Sequence, residues 1–393
     1  MHDAKSIFEA VLAPCEYDHF FSAVFGQKPL IQLGDTPQAR ALLAGADARQ
    51  ILLDQFGKYA PKLTCHAKAT HTPPPKPRAV EDAESFWALI EEYHALGYTV
   101  RIPDVVDFSP ALTRYTRAIE QLIRNPVGTV VFWSHAGAEA PIHYDEVDVI
   151  VIQLTGKKRW FIADDESALP NHWKALGEPQ PGAASYKTVD VEPGDFIYLP
   201  RGTVHTVQST TESIHLSIGF TPTTVRDGVN ALLDFHAEST RDCRVALGQR
   251  ADQPFSEESL STGRQQLQRE LEALLAKCGS DEFVTRALRR RDARMISELP
   301  RLQAPSGQPP LTAHSRVKHS PLAMVQMLST EQIIDFAQPG EHLLVHKGVE
   351  ASMRFIANTT EFNLADIPGG FGDDIRVALV QRLVQVGFLH VLS

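Results

Sequence analysis

The segment Pro141-Ile-His-Tyr-Asp145 sets two metal-capable side chains two residues apart. Side chains at i and i+2 of a strand point to the same face, so His143 and Asp145 aim together into whatever the sheet encloses. A second imidazole is offered downstream in Tyr198-Leu-Pro-Arg-Gly-Thr-Val-His205, just after the turn Glu192-Pro-Gly-Asp195. Two imidazoles and one carboxylate on one face of an ion leave the opposite positions open, the ligand set of non-haem Fe(II) oxygenases. A His-x-Asp pair is a frequent accident on a solvated strand edge. Here it runs into the apolar stretch 147–154, as a buried strand would, and the later histidine falls next to a tight turn.

The elements that must position these side chains are mostly strands. Segments 128–134, 147–154, 160–163, 187–191, 195–199, 203–207 and 213–219 are short, rich in β-branched and aromatic residues, and separated by turn signals. That pattern predicts a sandwich or jelly-roll barrel. Helical periodicity precedes it. It runs from Ser6 to Phe25 with a break at Pro14, from the Thr36-Pro37 start to Leu53, from Glu81 to a stop at Gly97, and onward from the Ser109-Pro110 cap. Between these, Lys28-Pro-Leu-Ile-Gln-Leu33 and 98–102 are β-like, and the proline-rich 71–78 is a surface connector.

Helices return after the strands. Thr224 and Asp227 form a capping-box-like start, and Leu267, Leu271, Leu274, Leu275 and Cys278 make an apolar stripe that suits either an internal core or a dimer interface. The 286–294 arginine cluster is expected on a solvated helix face, and 300–321 as a linker. Beyond it, 343–346, 353–357 and 360–363 are expected as strands, 374–386 as a helix ended by Gly387, and 388–392 as a last strand.

The chain has 393 residues, 43% hydrophobic and 22% charged, enough for more than one domain with its own core. A net charge of -10 argues against a general nucleic-acid binder. Four scattered cysteines without a CxxC fit reduced thiols, and no secretion signal or bilayer-spanning run stands out, so a cytoplasmic protein is expected.

Taken together, 141–145, Gln153-Leu-Thr-Gly-Lys-Lys158-Arg-Trp160, Glu192-Pro-Gly-Asp195, 198–205 and Ile214-His-Leu-Ser-Ile-Gly219 resemble the JmjC-type cupin 2-oxoglutarate oxygenases, specifically the ribosomal oxygenase branch. Phe20-Phe21 with Lys28-Pro-Leu30 is similar to that family's N-terminal signature. The resemblance implies a mixed α and β chain built on a double-stranded β-helix. Its expected parts are a catalytic domain over 1–222, a helical dimerisation region over 223–300, a linker over 301–321 and a winged-helix-like domain over 322–393. It implies Fe(II) held by His143, Asp145 and His205, with 2-oxoglutarate and O2 as co-substrates, a protein or peptide substrate (an arginine or histidine of a ribosomal protein) and a homodimer.

The far carboxylate of a 2-oxo acid inside an apolar barrel requires a fixed cation. The resemblance puts that role on Lys158, which shares a strand face with Trp160 and Ile162; a solvated basic turn is the other reading. Ser134 is a candidate donor to the same carboxylate, in competition with Thr129. His215 and Ser217 alternate inward with His205, His215 being expected as a satisfied core histidine. His135 is expected at the surface, and Phe132, Trp133 and Trp160 as barrel packing. The helix at 374–386 is too acidic at its start to read DNA. Two other classes stay open: a metal-dependent cupin enzyme that does not use 2-oxoglutarate, and a regulatory or binding module acting through its winged-helix-like tail.

Overall fold

A computed structural model describes residues 2–34, 37–44, 47–67, 73–75, 78–164, 169–170, 174–175, 186–302 and 307–392. The chain divides into two compact units, Met1–Thr221 and Pro222–Ser393.

In the first unit, helices α1 (His2–Leu12), α2 (Tyr17–Ala23), α3 (Gln38–Ala44), α4 (Ala48–Asp54), α5 (Phe56–Tyr59), α6 (Ala83–Ala95) and α7 (Pro110–Ile123) alternate with the first strands. Local chemistry sets the ends of several. Asp82 and Ser85 close a capping box on α6, and Ser109 accepts from Leu112 N ahead of Pro110 on α7. Thr36 and half of the proline-rich connector lie outside the described residues.

Among the described residues the strands are β1 (Leu30–Gln32), β2 (Thr64–His66), β3 (Thr99–Pro103), β4 (Val127–Ser134), β5 (His143–Tyr144), β6 (Asp148–Thr155), β7 (Lys158–Ala163), β8 (Lys174–Ala175), β9 (Tyr186–Val191), β10 (Phe196–Leu199), β11 (His205–Ser209) and β12 (Ser213–Phe220). They form two antiparallel sheets, ordered β1-β10-β6-β12-β4-β3-β2 and β8-β5-β11-β7-β9. This is the jelly-roll arrangement expected of the alternating strand pattern.

The larger sheet is covered on both faces, and β6 is buried from Asp148 to Gln153. Ile150, Ile152, Val131, Trp133 and Leu216 pack against the helices, which contribute Phe8, Phe20, Leu112 and Tyr115. On the other face Val149, Val151, Ile197 and Leu199 meet Trp160, Ile162, Val189 and Val191 of the smaller sheet. The site lies between the two sheets.

The second unit begins with α8 (Val225–Ser239), α9 (Glu257–Cys278) and α10 (Asp281–Glu298). Thr224 and Asp227 cap α8 reciprocally, as their spacing predicts. Of the α9 stripe only Leu274 is buried, while Leu267, Leu271 and Leu275 are exposed, Leu275 by 74%. Arg286, Arg289, Arg290 and Arg294 of α10 face solvent, where Arg290 pairs with Glu238.

Next come β13 (Arg316–His319), β14 (Gln326–Ser329), β15 (Ile333–Gln338), β16 (Glu341–His346), α11 (Glu350–Asn358), β17 (Glu361–Asn363), α12 (Asp373–Gln385) and β18 (Leu389–Leu392), in two three-stranded sheets ordered β17-β13-β18 and β14-β15-β16. Two expectations are corrected here. The segment 353–357 is helix, because Met353 and Ile356 bury one face three residues apart and Arg354 pairs with Glu350 one turn back. The span 301–321 is not connector throughout. Residues 316–319 pair with both β17 and β18 around the fully buried Val317.

Candidate metal centre

His143 on β5 and His205 at the start of β11 stand opposite one another in the antiparallel register, with ring centroids 4.3 Å apart. Asp145, two residues on, completes the group. His143 Nε2 is 3.9 Å from its Oδ1, His205 Nε2 is 3.7 Å from its Oδ2, and one ligand atom from each residue falls within 4.8 Å of the others.

Each ring is oriented from behind. His143 Nδ1 lies 2.8 Å from Pro141 O and His205 Nδ1 lies 2.9 Å from Thr203 O. A carbonyl can only accept, so Nδ1 carries the proton in both rings and the lone pair stays on Nε2, the atom turned to Asp145. Burial, with His143 adding to it, pulls the His205 pKa down to about 3, so the ring is neutral near pH 7. Burial also raises the Asp145 pKa, opposed by His143 and Arg101. Burial is the larger effect on Asp145, so the positive charge around it does not fully offset the desolvation of its carboxylate. The donor set and the fixed tautomers therefore fit a divalent transition metal.

The two ligand-bearing segments are clamped together. Gly202, with φ +84, donates its N–H to Asp145 O at 2.8 Å, and Arg201 N donates to Asp148 Oδ1 at 3.0 Å. Tyr198 donates its hydroxyl to Asp148 Oδ2 at 2.7 Å. Asp195 fixes the preceding turn by accepting from Glu192 N at 2.7 Å.

Between the sheets lies a cavity of about 1110 Å³, lined by all three of these residues and by Lys158, Ser134, His215 and Ser217. Lys158 is only 2% exposed, and its Nζ donates to Ser134 Oγ at 2.8 Å. Thr99 donates to the same oxygen at 3.0 Å. Among the described residues no carboxylate pairs with Lys158, and burial pulls its pKa down to about 7. A basic solvated turn is therefore excluded for Lys158; its neighbours Lys157 and Arg159 are the exposed pair, held by Glu192 and Asp190. Gly156 makes the reversal possible. Its φ is +66, and a Cβ there would stand 2.0 Å from Glu212 O.

Strand alternation separates the two hydroxyl candidates. Gly128, Val130, Phe132 and Ser134 line the cavity, whereas Thr129 lies on the helix-facing side with Val131 and Trp133. His215 departs from the satisfied core histidine expected of it. It is buried, burial holds it neutral, it stacks on Phe132 at 4.9 Å, and its Nδ1 has no partner among the described residues. Trp160 and Phe132 line the cavity rather than only packing the barrel, and the Trp160 indole N–H is likewise unpartnered among the described residues. Trp133 does pack as expected. His135 is half-buried, with Nδ1 on Ala136 O, and is not among the lining residues.

Sequence reasoning misses two lining residues, His66 on β2 and Arg101 on β3. Burial pulls the His66 pKa down to about 4. Arg101 had a legible cue, a cation alternating with the fully buried Val100 and Ile102 in a short strand.

Residues 105–227 match the family model of the JmjC domain. Over 224 residues the chain is 27% identical to ribosomal oxygenase 2 of Rattus norvegicus, covering 54% of this chain and 47% of that one. Over 260 residues it is 28% identical to ribosomal oxygenase 1 of Homo sapiens, covering 62% and 38% respectively. The bifunctional lysine-specific demethylase and histidyl-hydroxylase NO66 of Dictyostelium discoideum is 24% identical over 235 residues, 55% of this chain and 43% of that one. The chain thus spans about half the length of these curated relatives, or less. The crystal structure of the Escherichia coli ribosomal oxygenase YcfD matches in fold with a TM-score of 0.51 at 15% identity, covering 96% of this chain and 98% of that one.

Among the described residues no helix is long and apolar enough to cross a membrane.

Proposed function

We propose that this chain is an Fe(II)- and 2-oxoglutarate-dependent oxygenase that hydroxylates a side chain of a protein substrate, in the manner the names of its ribosomal oxygenase relatives describe. His143, Asp145 and His205 would hold the metal on one face. With Fe(II), 2-oxoglutarate and O2 bound, the chemistry supplied is oxidative decarboxylation of the 2-oxo acid to succinate coupled to insertion of one oxygen atom into a C–H bond.

The observation that carries the reading is Lys158. A buried ammonium with one hydroxyl and no carboxylate beside it is a costly arrangement unless an anion is to be received there. In this reading Lys158 and Ser134 take the distal carboxylate of the 2-oxo acid, and the sheets around them exclude water. Arg101 and His66 line the same cavity from the other strands and are available to the substrate. The protein substrate is proposed as a ribosomal protein by analogy with the relatives' names alone. The exposed Val229, Leu233, Leu267, Leu271 and Leu275 support a homodimer formed through the 223–300 helices, with a winged-helix-like domain following them.

The test is incubation of iron-loaded protein with 2-oxoglutarate and a ribosomal protein mixture. Succinate release with a gain of one oxygen atom on a ribosomal protein is expected. Intact metal binding with no succinate would favour a cupin enzyme that does not use a 2-oxo acid. A mobility shift of nucleic acid that falls steeply with salt, without turnover, would favour the binding-module reading.

A further inference from the structure

The helical part of the second unit holds another group of three metal-capable side chains, none of which the oxygenase site uses. These are His236 on α8, Cys243 in the single 3-10 turn that follows it, and Glu270 on α9. One oxygen joins them: Glu270 Oε2 is 3.3 Å from His236 Nε2 and 3.2 Å from Cys243 Sγ. Ligand atoms held about 2.0–2.3 Å from one ion at tetrahedral angles stand roughly 3.3–3.5 Å apart, so these separations are nearly those of a formed site. His236 is 1% exposed, whereas Cys243 and Glu270 are half-buried, which leaves a route for an ion and a fourth position for water.

We propose that His236, Cys243 and Glu270 bind a zinc ion that ties α8 and the turn after it to α9. One sulfur, one imidazole and one carboxylate suit zinc, and the sulfur distinguishes this set from the sulfur-free one in the barrel.

Without the ion, the Cys243 thiol donates to Glu270 and Lys277 Nζ donates to His236 Nδ1 at 2.9 Å, which leaves the ring proton on Nε2 facing Glu270. Binding forms bonds from the ion to Sγ, Nε2 and Oε2. The thiol proton leaves to solvent, and the ring proton moves to Nδ1, where Thr240 Oγ1 at 3.4 Å is the acceptor at hand. Lys277 must then turn away, since a protonated Nδ1 can no longer accept its hydrogen bond. Lys277 is therefore a built-in competitor of the ion.

The test is titration of the metal-free full-length protein with Co²⁺, which reports sulfur ligation by a thiolate-to-metal charge-transfer band that the barrel site cannot give. The band is expected to be complete by two equivalents in the parent protein, whose barrel also takes Co²⁺, and by one equivalent in His143→Ala, to be removed by added Zn²⁺ and absent in Cys243→Ser. Lys277→Met should bind several-fold tighter. Zn²⁺ should also raise the Tm of His143→Ala but not of the double variant His143→Ala with Cys243→Ser. No thiolate band, or a band that survives Cys243→Ser, overturns the site. Unchanged affinity in Lys277→Met overturns the competitor role.

Discussion

His143 and His205 are direct cross-strand partners of β5 and β11, so two imidazoles far apart in the chain meet by strand pairing alone. Facing Cβ atoms of an antiparallel pair lie about 4.5–5.5 Å apart, within the span of a single coordination sphere. Asp145 follows on the same strand face, and its own carbonyl is held by Gly202, three residues before the second imidazole. The candidate ligands are thus presented by paired backbone rather than by mobile loops.

Removing one of these ligands should abolish metal retention and leave the barrel folded. For His143→Ala and Asp145→Ala we expect metal affinity to fall by more than the 10–100-fold typical of losing a supporting residue, with unchanged far-ultraviolet circular dichroism. Asp145→Ala also removes a half-buried carboxylate whose pKa burial raises, so the metal-free protein should melt no lower than the parent. Parent-like iron retention, measured by metal analysis after gel filtration, would show that the ion binds elsewhere.

Lys158 gives a prediction of opposite sign in two measurements. Its folded pKa of about 7 lies below the ordinary lysine value, so between about pH 7 and that value the unfolded chain binds more protons. Stability should rise with pH across that window, and the burden of the buried charge is complete below about pH 7. Lys158→Met should therefore raise the Tm of the ligand-free protein at or below neutrality while weakening 2-oxoglutarate binding and sparing iron. In the parent, 2-oxoglutarate affinity should fall by about tenfold per unit as pH rises above about 7, with proton uptake on binding. Calorimetry in buffers of different ionisation enthalpy tests both. Undiminished 2-oxoglutarate affinity in Lys158→Met would dismiss the assignment.

Period-two alternation made much of this arrangement legible. It set His143 with Asp145, and it made Lys158 an inward residue between two outward cations. Turn chemistry at Gly156 and at 192–195 was equally readable. What was not legible depended on contacts between distant strands. Ser134 and Thr129 are indistinguishable as hydroxyls until β4 is laid against β12, and the unsatisfied Nδ1 of His215 exists only once its neighbours are assembled. The segment 353–357 suggests a strand only through Phe355 and Ile356; Met353, Arg354 and Ala357 favour helix, and the Glu350–Arg354 pair with the burial of Met353 and Ile356 decides it. The α9 stripe shows the reverse failure: a periodic apolar face predicts a partner, yet most of its leucines are exposed within the chain.

Gly156→Ala probes the turn that delivers Lys158. The left-handed φ costs an L-residue about 1 kcal/mol or more, and the Cβ collides with backbone at Glu212 rather than with a side chain that can move. We expect a clear loss of stability together with weakened 2-oxoglutarate binding, because any relaxation shifts the residue two positions on. Gly137→Ala, whose φ is similar at +85 but whose Cβ meets nothing, is the control for strain alone. Equal effects of the two substitutions on 2-oxoglutarate affinity would remove the claim that the turn at Gly156 positions Lys158.

Asp148 is the test of the clamp between the ligand-bearing segments. Its carboxylate accepts from the Tyr198 hydroxyl and from Arg201 N, joining the start of β6 to the loop that leads into His205. Asp148→Ala leaves both donors without that acceptor, at about 1–3 kcal/mol for each group that water cannot reach. Asp148→Asn keeps an oxygen for Arg201 N but can meet Tyr198 only by reversing that hydrogen bond, so it should be the milder change. If the clamp holds His205 in register with His143, metal affinity should fall about 10–100-fold in Asp148→Ala with all three ligands intact. The Asn variant should fall between it and the parent. A Tm that drops while metal affinity stays at the parent value would make Asp148 a stabilising residue of the sheet with no part in positioning the ligands.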